Sequence, residues 1–176
     1  MANVTRKKVK DIKPGAFHSP WRLVRAMEEA GGFTAKHVGV GARILRRMFK
    51  EAMKKKCVNF LSFPACIVST GTRGVLVELL RRRRFQVVVT TGGMMDYDLA
   101  RLWKSYYHGS FNADDVKLHR LGINRIGNVF APVESYGLIL EKKMQPMLEK
   151  IYEKGKSYSS HELLWEFGKM LRNEKR

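Results

Sequence analysis

The chain is 176 residues long, enough for a domain with a sizeable core, and 44% of it is hydrophobic, which argues against wholesale disorder. Its 34 Lys and Arg against 16 Asp and Glu leave a formal net charge of +18, which favours acidic partners, nucleic acid first among them. No apolar run approaches the roughly 18–20 residues of a membrane span. No apolar stretch follows the basic first ten residues, and Cys57 and Cys66 sit in neither a CxxC pair nor a His cluster. A cytosolic protein with neither a disulfide framework nor a zinc site is expected.

Residues 1–18 read as a basic arm, broken at Pro14–Gly15, and residues 19–176 as one domain. Ser19 and Pro20 mark a helix start, as cap and first helical residue. Leu23, Val24 and Met27 give that helix an apolar stripe, and Gly31–Gly32 ends it. A second helix is expected over residues 39–55, with Val40, Ile44, Leu45, Met48 and Phe49 at helical spacing. Residues 58–63 read as a buried strand. Ser69 and Thr70 stand where they cap a helix carrying Val75, Leu76, Leu79 and Leu80, which ends in the run of arginines at 81–84. Residues 85–89, rich in β-branched side chains, read as a second buried strand. The turn Thr90-Thr91-Gly92-Gly93 follows, and then a helix from about Met95 to Lys104. Strand, helix, strand, glycine turn and helix make the rhythm of a parallel α/β sheet.

Residues 106–124 read as an irregular excursion with a short helix at 115–120, and residues 126–131 as another strand or an extended segment. A helical stretch at 134–154 and a capping box, Ser159 with Glu162, lead to a last amphipathic helix carrying Leu163, Leu164, Phe167 and Leu171.

Ligands of doubly wound sheets sit beyond the carboxyl ends of the strands. The turn at Thr90–Gly93 and the loop at residues 64–71 leave neighbouring strands at that end, and together they outline a crevice. Glycine there lets a phosphate or ribose approach, and Ser69, Thr70 and Thr91 bring hydroxyls. A plain strand-to-helix turn and simple helix capping account for the same residues, since TTGG is not the GxGxxG fingerprint. Asp96 and Asp98 open the following helix, where its dipole favours carboxylates with or without a cationic ligand. Gly122-Ile123-Asn124-Arg125-Ile126-Gly127-Asn128 reads as a loop whose side chains tie backbone groups together. The scattered histidines show no metal-ligand spacing, so no metal is expected.

Several of these segments occur in the order found in deoxyhypusine synthases: Gly32-Phe33-Thr34-Ala35, Ile67-Val68-Ser69-Thr70-Gly71, Val88-Val89-Thr90-Thr91-Gly92-Gly93 through Asp98-Leu99, and Gly122 through Asn128. Gly109-Ser110-Phe111-Asn112-Ala113-Asp114 and Val133-Glu134-Ser135-Tyr136-Gly137 resemble the archaeal branch. The resemblance implies a Rossmann-like parallel sheet flanked by helices, assembly as an oligomer, and NAD as cofactor. It also implies transfer of the aminobutyl group of spermidine to a lysine of the translation initiation factor 5A precursor, through an imine on an enzyme lysine.

Carried over by position, the resemblance puts NAD contacts at Ala65, Cys66, Ser69, Thr91, Gly92, Gly93 and Tyr97, and polyamine contacts at Asp96 and Tyr97. Ala65-Cys66 stand where the family usually has Ser-Asn, and Tyr97 stands where it has a glutamate or histidine. The family's catalytic lysine falls in a motif absent here, so no catalytic residue is expected from this chain. The resemblance thus implies an amino-terminal half, incomplete without a carboxyl-half partner subunit and working in a hetero-oligomer. A regulatory paralogue that joins a full-length synthase is the next reading, and a basic nucleic-acid-binding module the third.

Overall fold

The structure, a computed structural model, describes residues 7–15 and 17–173. Expectations for residues 1–6 and 16, in the basic arm, and for 174–176 lie outside the described residues. The chain divides into two compact units: Met1–Phe60 with Arg84–Val87, and Leu61–Arg83 with Val88–Arg176.

In the first unit α1 spans Pro20–Ala30 and α2 spans Phe33–Met53. Ser19 is extended and its hydroxyl accepts from the Arg22 N–H, while Gly31 closes α1 with a φ of 77°. Both ends of α1 are as expected. Helix α2 begins six residues before the expected start at Gly39. Glycine disfavours a helix interior by about 1 kcal/mol, so Gly39 and Gly41 read as a boundary. Packing reverses that choice. A Cβ built on Gly39 would lie 2.4 Å from Glu28 Cβ and 2.8 Å from its backbone nitrogen, so the missing side chain is what lets α1 and α2 touch. Arg43 closes the same contact with an ion pair to Glu28 at 3.0 Å, and Lys10 of the arm pairs with Glu29 at 3.2 Å.

The segment at 84–87 is held by a buried asparagine. Asn59, 2% exposed, donates Nδ2 to the Arg84 carbonyl at 3.0 Å and its backbone N–H to Gln86 Oε1 at 2.9 Å. Its carbonyl accepts from the Gln86 and Val87 N–H groups. Phe49 meets Phe85 edge-on, with centroids 5.5 Å apart.

Strands β1 (Phe60–Phe63) and β2 (Val87–Thr90) form a two-stranded sheet. Asn59 bonds Gln86 and Val87 at one end, and Thr90 Oγ1 donates to the Phe63 carbonyl at the other. The strands therefore run in the same direction, as the α/β rhythm predicts. Each begins two residues later than expected, and neither is buried: Phe60 is 62% exposed and Val89 53%.

A 3-10 turn, Ala65–Ser69, follows β1 and leads to α3 (Arg73–Arg81); α4 (Gly93–Trp103) follows β2. Ser69 and Thr70 do not cap α3, whose N-cap is Thr72. Thr70 instead donates its hydroxyl to the Ile67 carbonyl at 2.7 Å, closing the 3-10 turn on itself.

A second sheet runs from the expected irregular region into the segment expected as a strand or extended. Strands β3 (Tyr107–His108), β4 (Ile123–Ile126) and β5 (Val129–Pro132) form a three-stranded antiparallel sheet in the order β3-β5-β4. Residues 122–128 are therefore a strand and a hairpin turn, not a loop. Ile126 pairs with Val129, and Gly127, at φ 61°, supplies the left-handed conformation that a two-residue hairpin needs at its first turn position. Arg125 hides the strand from sequence reasoning because its charge is met from elsewhere. It forms a bidentate pair with Asp115, at 2.6 and 2.7 Å, on α5 (Asp115–Arg120).

A short 3-10 turn (Val133–Ser135) leads to α6 (Gly137–Tyr152) and α7 (Ser160–Met170). The capping box forms as expected, with Glu162 accepting from the Ser159 N–H at 2.8 Å. Leu99 of α4, Ile151 of α6 and Phe167 of α7 make the buried core of this unit, with Met95, Trp103, Leu140 and Leu163 around it. Each such side chain contributes roughly 1.5–3 kcal/mol. Among the described residues no helix is long and apolar enough to cross a membrane.

Replacing Gly39 with alanine should force α1 from α2. The steric cost of about 1–3 kcal/mol exceeds the gain in helix propensity, and a lowered midpoint in urea unfolding is the expected readout. Glu166 carries a pH signature. Hydrogen bonds from Lys154 and Lys169 hold its carboxyl down to about 2, from an ordinary 4.5. A depressed carboxylate stabilises the fold above its unfolded pKa and loses that contribution as pH falls toward its folded one. Stability of the α6–α7 pairing should therefore decline between about pH 4.5 and 2, and Glu166→Gln should flatten that part of the acid titration followed by circular dichroism.

Candidate functional site

The candidate site lies wholly in the second unit, where β1 and β2 end. Thr90 and Thr91 draw the two strand-end loops together. Thr90 Oγ1 reaches the Phe63 carbonyl at 2.9 Å, and Thr91 Oγ1 accepts from the Ala65 N–H at 3.3 Å. Gly93 lies against both Ala65 and Tyr97: a Cβ built on it would sit 3.5 Å from Ala65 Cβ and 3.8 Å from the Tyr97 ring. Thus Ala65, Thr91, Gly93 and Tyr97 are brought into one cluster. Gly92 is exposed, with open space where a Cβ would stand, and Cys66 is an exposed free thiol.

Two arginines hold the loop after β1 against α4. Arg101 sends one guanidinium nitrogen to the carbonyls of Val68 and Thr70, at 2.6 and 2.7 Å. Arg73 bonds the Asp98 carboxylate and, at 3.4 Å, its carbonyl. Asp98 is thereby committed to structure, which separates it from Asp96. Burial, followed by repulsion from Arg73, lowers the pKa of Arg101. The bonds to Val68 and Thr70 satisfy backbone acceptors in the 3-10 turn, where Ala65, Val68 and Ser69 are all buried.

Ser69 is 3% exposed and its hydroxyl has no hydrogen-bond partner among the described residues. An orphaned buried hydroxyl costs about 1–3 kcal/mol and invites a functional reason. The Tyr106 hydroxyl is in the same position. Burial, then its tyrosine neighbours, raises its pKa, so the phenol stays protonated. Tyr97 stacks on Tyr136 with centroids 5.3 Å apart and meets Tyr106 edge-on at 6.4 Å. Tyr136 stands beside Asp96, and burial, then the Asp96 charge, raises its pKa. The acid expected to meet a cation therefore stands beside a cluster of three aromatic rings.

A sequence model of deoxyhypusine synthase matches residues 22–176. The chain belongs to the deoxyhypusine synthase family. It is 45% identical over 169 residues to a probable deoxyhypusine synthase of Picrophilus torridus, covering 96% of this chain and 53% of the relative. It is 46% identical over 144 residues to one of Sulfolobus acidocaldarius, covering 81% of this chain and 45% of the relative. A third, from Thermoplasma acidophilum, is 43% identical over 152 residues, covering 86% and 48%. The chain spans about half the length of the curated relatives it matches.

Within this family member, sequence reasoning missed Arg73, Arg101, Tyr106 and Tyr136. Tyr136 lies in the archaeal-like segment quoted above, but nothing local links it to Asp96, 40 residues earlier. Arg101, three residues after Asp98 on one helix face, was the more accessible signal.

Ser69→Ala should leave the chain as stable as the native protein or slightly more so. It removes an unpaired buried hydroxyl rather than a hydrogen bond, and the urea midpoint is the check.

Proposed function

We propose that this chain supplies the amino-terminal part of a deoxyhypusine synthase site, holding NAD and the polyamine while a carboxyl-half polypeptide supplies the lysine nucleophile. The observation that carries the reading is the family match over residues 22–176, together with the joined strand-end loops at Ala65, Thr91 and Gly93. Relatives about twice as long support the need for a carboxyl half. So do the apolar faces left open on β1 and β2, where further strands complete a Rossmann-like sheet and a hetero-oligomer.

The residues present fit a dinucleotide. Ser69 has a buried hydroxyl without a partner, Thr91 can donate its hydroxyl while accepting from Ala65, and Gly92 is open to close approach. Gly92 and Gly93 lie at the start of α4, an 11-residue helix whose dipole favours a phosphate. When bound, NAD supplies the hydride acceptor for oxidation of spermidine. In the proposal Asp96 anchors an ammonium group of spermidine, and the ring of Tyr97 covers it in place of the family's charged or imidazole side chain. The C–N bond of oxidised spermidine then breaks with release of 1,3-diaminopropane, the aminobutyl group passes to a lysine of the translation initiation factor 5A precursor, and the hydride taken in the first step is returned to the product. Ala65 and Cys66 offer no hydroxyl or amide, so NAD is held here with fewer side-chain contacts than the family usually makes.

That loss also favours a second reading, a non-catalytic paralogue that modulates a full-length synthase. One experiment separates the two. The chain is mixed with the carboxyl half of a close relative, NAD, labelled spermidine and the factor 5A precursor, and transfer of label to the precursor is followed. Turnover that needs both halves supports the synthase. No turnover from the pair, with altered turnover of an added full-length synthase, supports the paralogue instead. In the active pair Asp96→Asn should raise the KM for spermidine about 10–100-fold, the loss of one charge-assisted hydrogen bond of roughly 1.5–3 kcal/mol.

A further inference from the structure

A cavity in the first unit takes no part in the site above. It has a volume of about 730 Å³ and is lined by Trp21, Arg84 and residues of α2. The α2 residues are Ala42, Leu45, Arg46, Phe49, Lys50 and Met53, which recur at intervals of three, four, seven, eight and eleven. They therefore form a single stripe along the helix, roughly 16 Å long at 1.5 Å per residue. Trp21 of α1 and Arg84 complete the lining. The floor is apolar and open: Leu45 is 44% exposed, Met53 75% and Trp21 37%.

The charge of the slot is one-sided. Arg46, Lys50 and Arg84 line it, and no Asp or Glu does. Among the described residues none of these three cations has a carboxylate within ion-pair distance, although Arg43 on the same helix and Lys54 at its C-cap each have one. Arg46 lies 5.0 Å over the Trp21 ring, and Arg84 lies 5.7 Å over Phe49 and donates to Met53 Sδ. The two arginines are thus held by the same aromatic side chains that line the slot.

We propose that this slot docks an amphipathic helix of a partner protein, about three turns long, with an aliphatic stripe flanked by carboxylates. Helix-in-groove recognition needs an apolar channel of that length for anchors at i, i+3, i+4 and i+7. The unpaired rim cations select acids beside those anchors and speed encounter by steering. A nucleic acid fits less well. Its bases need free aromatic faces, and here Arg46 and Arg84 cover the rings of Trp21 and Phe49. A second copy of this chain fits poorly too, because two chains of net charge +18 repel.

The test uses the full 176-residue chain and a fluorescent synthetic helix with a leucine stripe and glutamate on the remaining faces. Two control helices carry lysine for glutamate, or serine for leucine. Anisotropy should show saturable binding of the leucine–glutamate helix alone, weakening with salt. Arg46→Glu and Arg84→Glu should each weaken it about tenfold, with unchanged circular dichroism, and Lys50→Glu serves if either variant fails to fold. Equal binding of either control helix overturns the proposal. So does indifference of the leucine–glutamate helix to the folded variants. Two further outcomes refute it: tighter binding of a single-stranded oligonucleotide that is lost on Arg46→Glu, and self-association of the native chain that Arg46→Glu abolishes.

Discussion

The candidate site depends on one half-buried guanidinium. Arg101 holds the carbonyls of Val68 and Thr70, and so fixes the 3-10 turn that carries Ala65 and Ser69 to the helix that carries Asp96 and Tyr97. Charge-assisted bonds of this kind are about twice as strong as neutral ones. Here they hold a backbone that has no regular ladder of its own. Arg73 repeats the device one turn along, taking Asp98 out of solution chemistry and leaving Asp96 as the acid beside the aromatic cluster.

Burying Arg101 carries an electrostatic cost, seen in its lowered pKa and in the like charge of Arg73 nearby. The protein meets that cost with carbonyl acceptors and with the Tyr106 ring, 6.0 Å from the guanidinium. The hydroxyls of Ser69 and Tyr106 remain buried and unpaired in the same region. Unsatisfied buried polar groups in the region of that cation mark a place organised for something other than stability alone.

The two units solve packing in different ways. In the first, helices approach because Gly39 lacks a side chain, and a buried asparagine joins the Phe49–Phe85 contact in holding residues 84–87. In the second, apolar side chains of α4, α6 and α7 interlock around Phe167. Helix α4 belongs to that core through Leu99 and to the site through Asp96 and Tyr97, so the core sets the orientation of the residues that face the chemistry.

The sequence by itself determined what depends on near neighbours. These are the caps at Ser19, Gly31 and Ser159, the short helix at Asp115–Arg120, the strand–helix–strand rhythm, and the family through the order of its motifs. Each rests on backbone preferences or spacing that operate within a few residues. Tertiary structure decided what depends on partners far along the chain. Gly39 lies inside a helix because Glu28 packs on it, and the loop-like segment around Arg125 is a strand because Asp115 takes up its charge. Ser69 is a buried orphan rather than a helix cap because the chain makes a 3-10 turn first. The meeting of Asp96 with Tyr136, and of Trp21 with Arg46, follows from how helices and turns pack, and local pattern carries no record of such contacts.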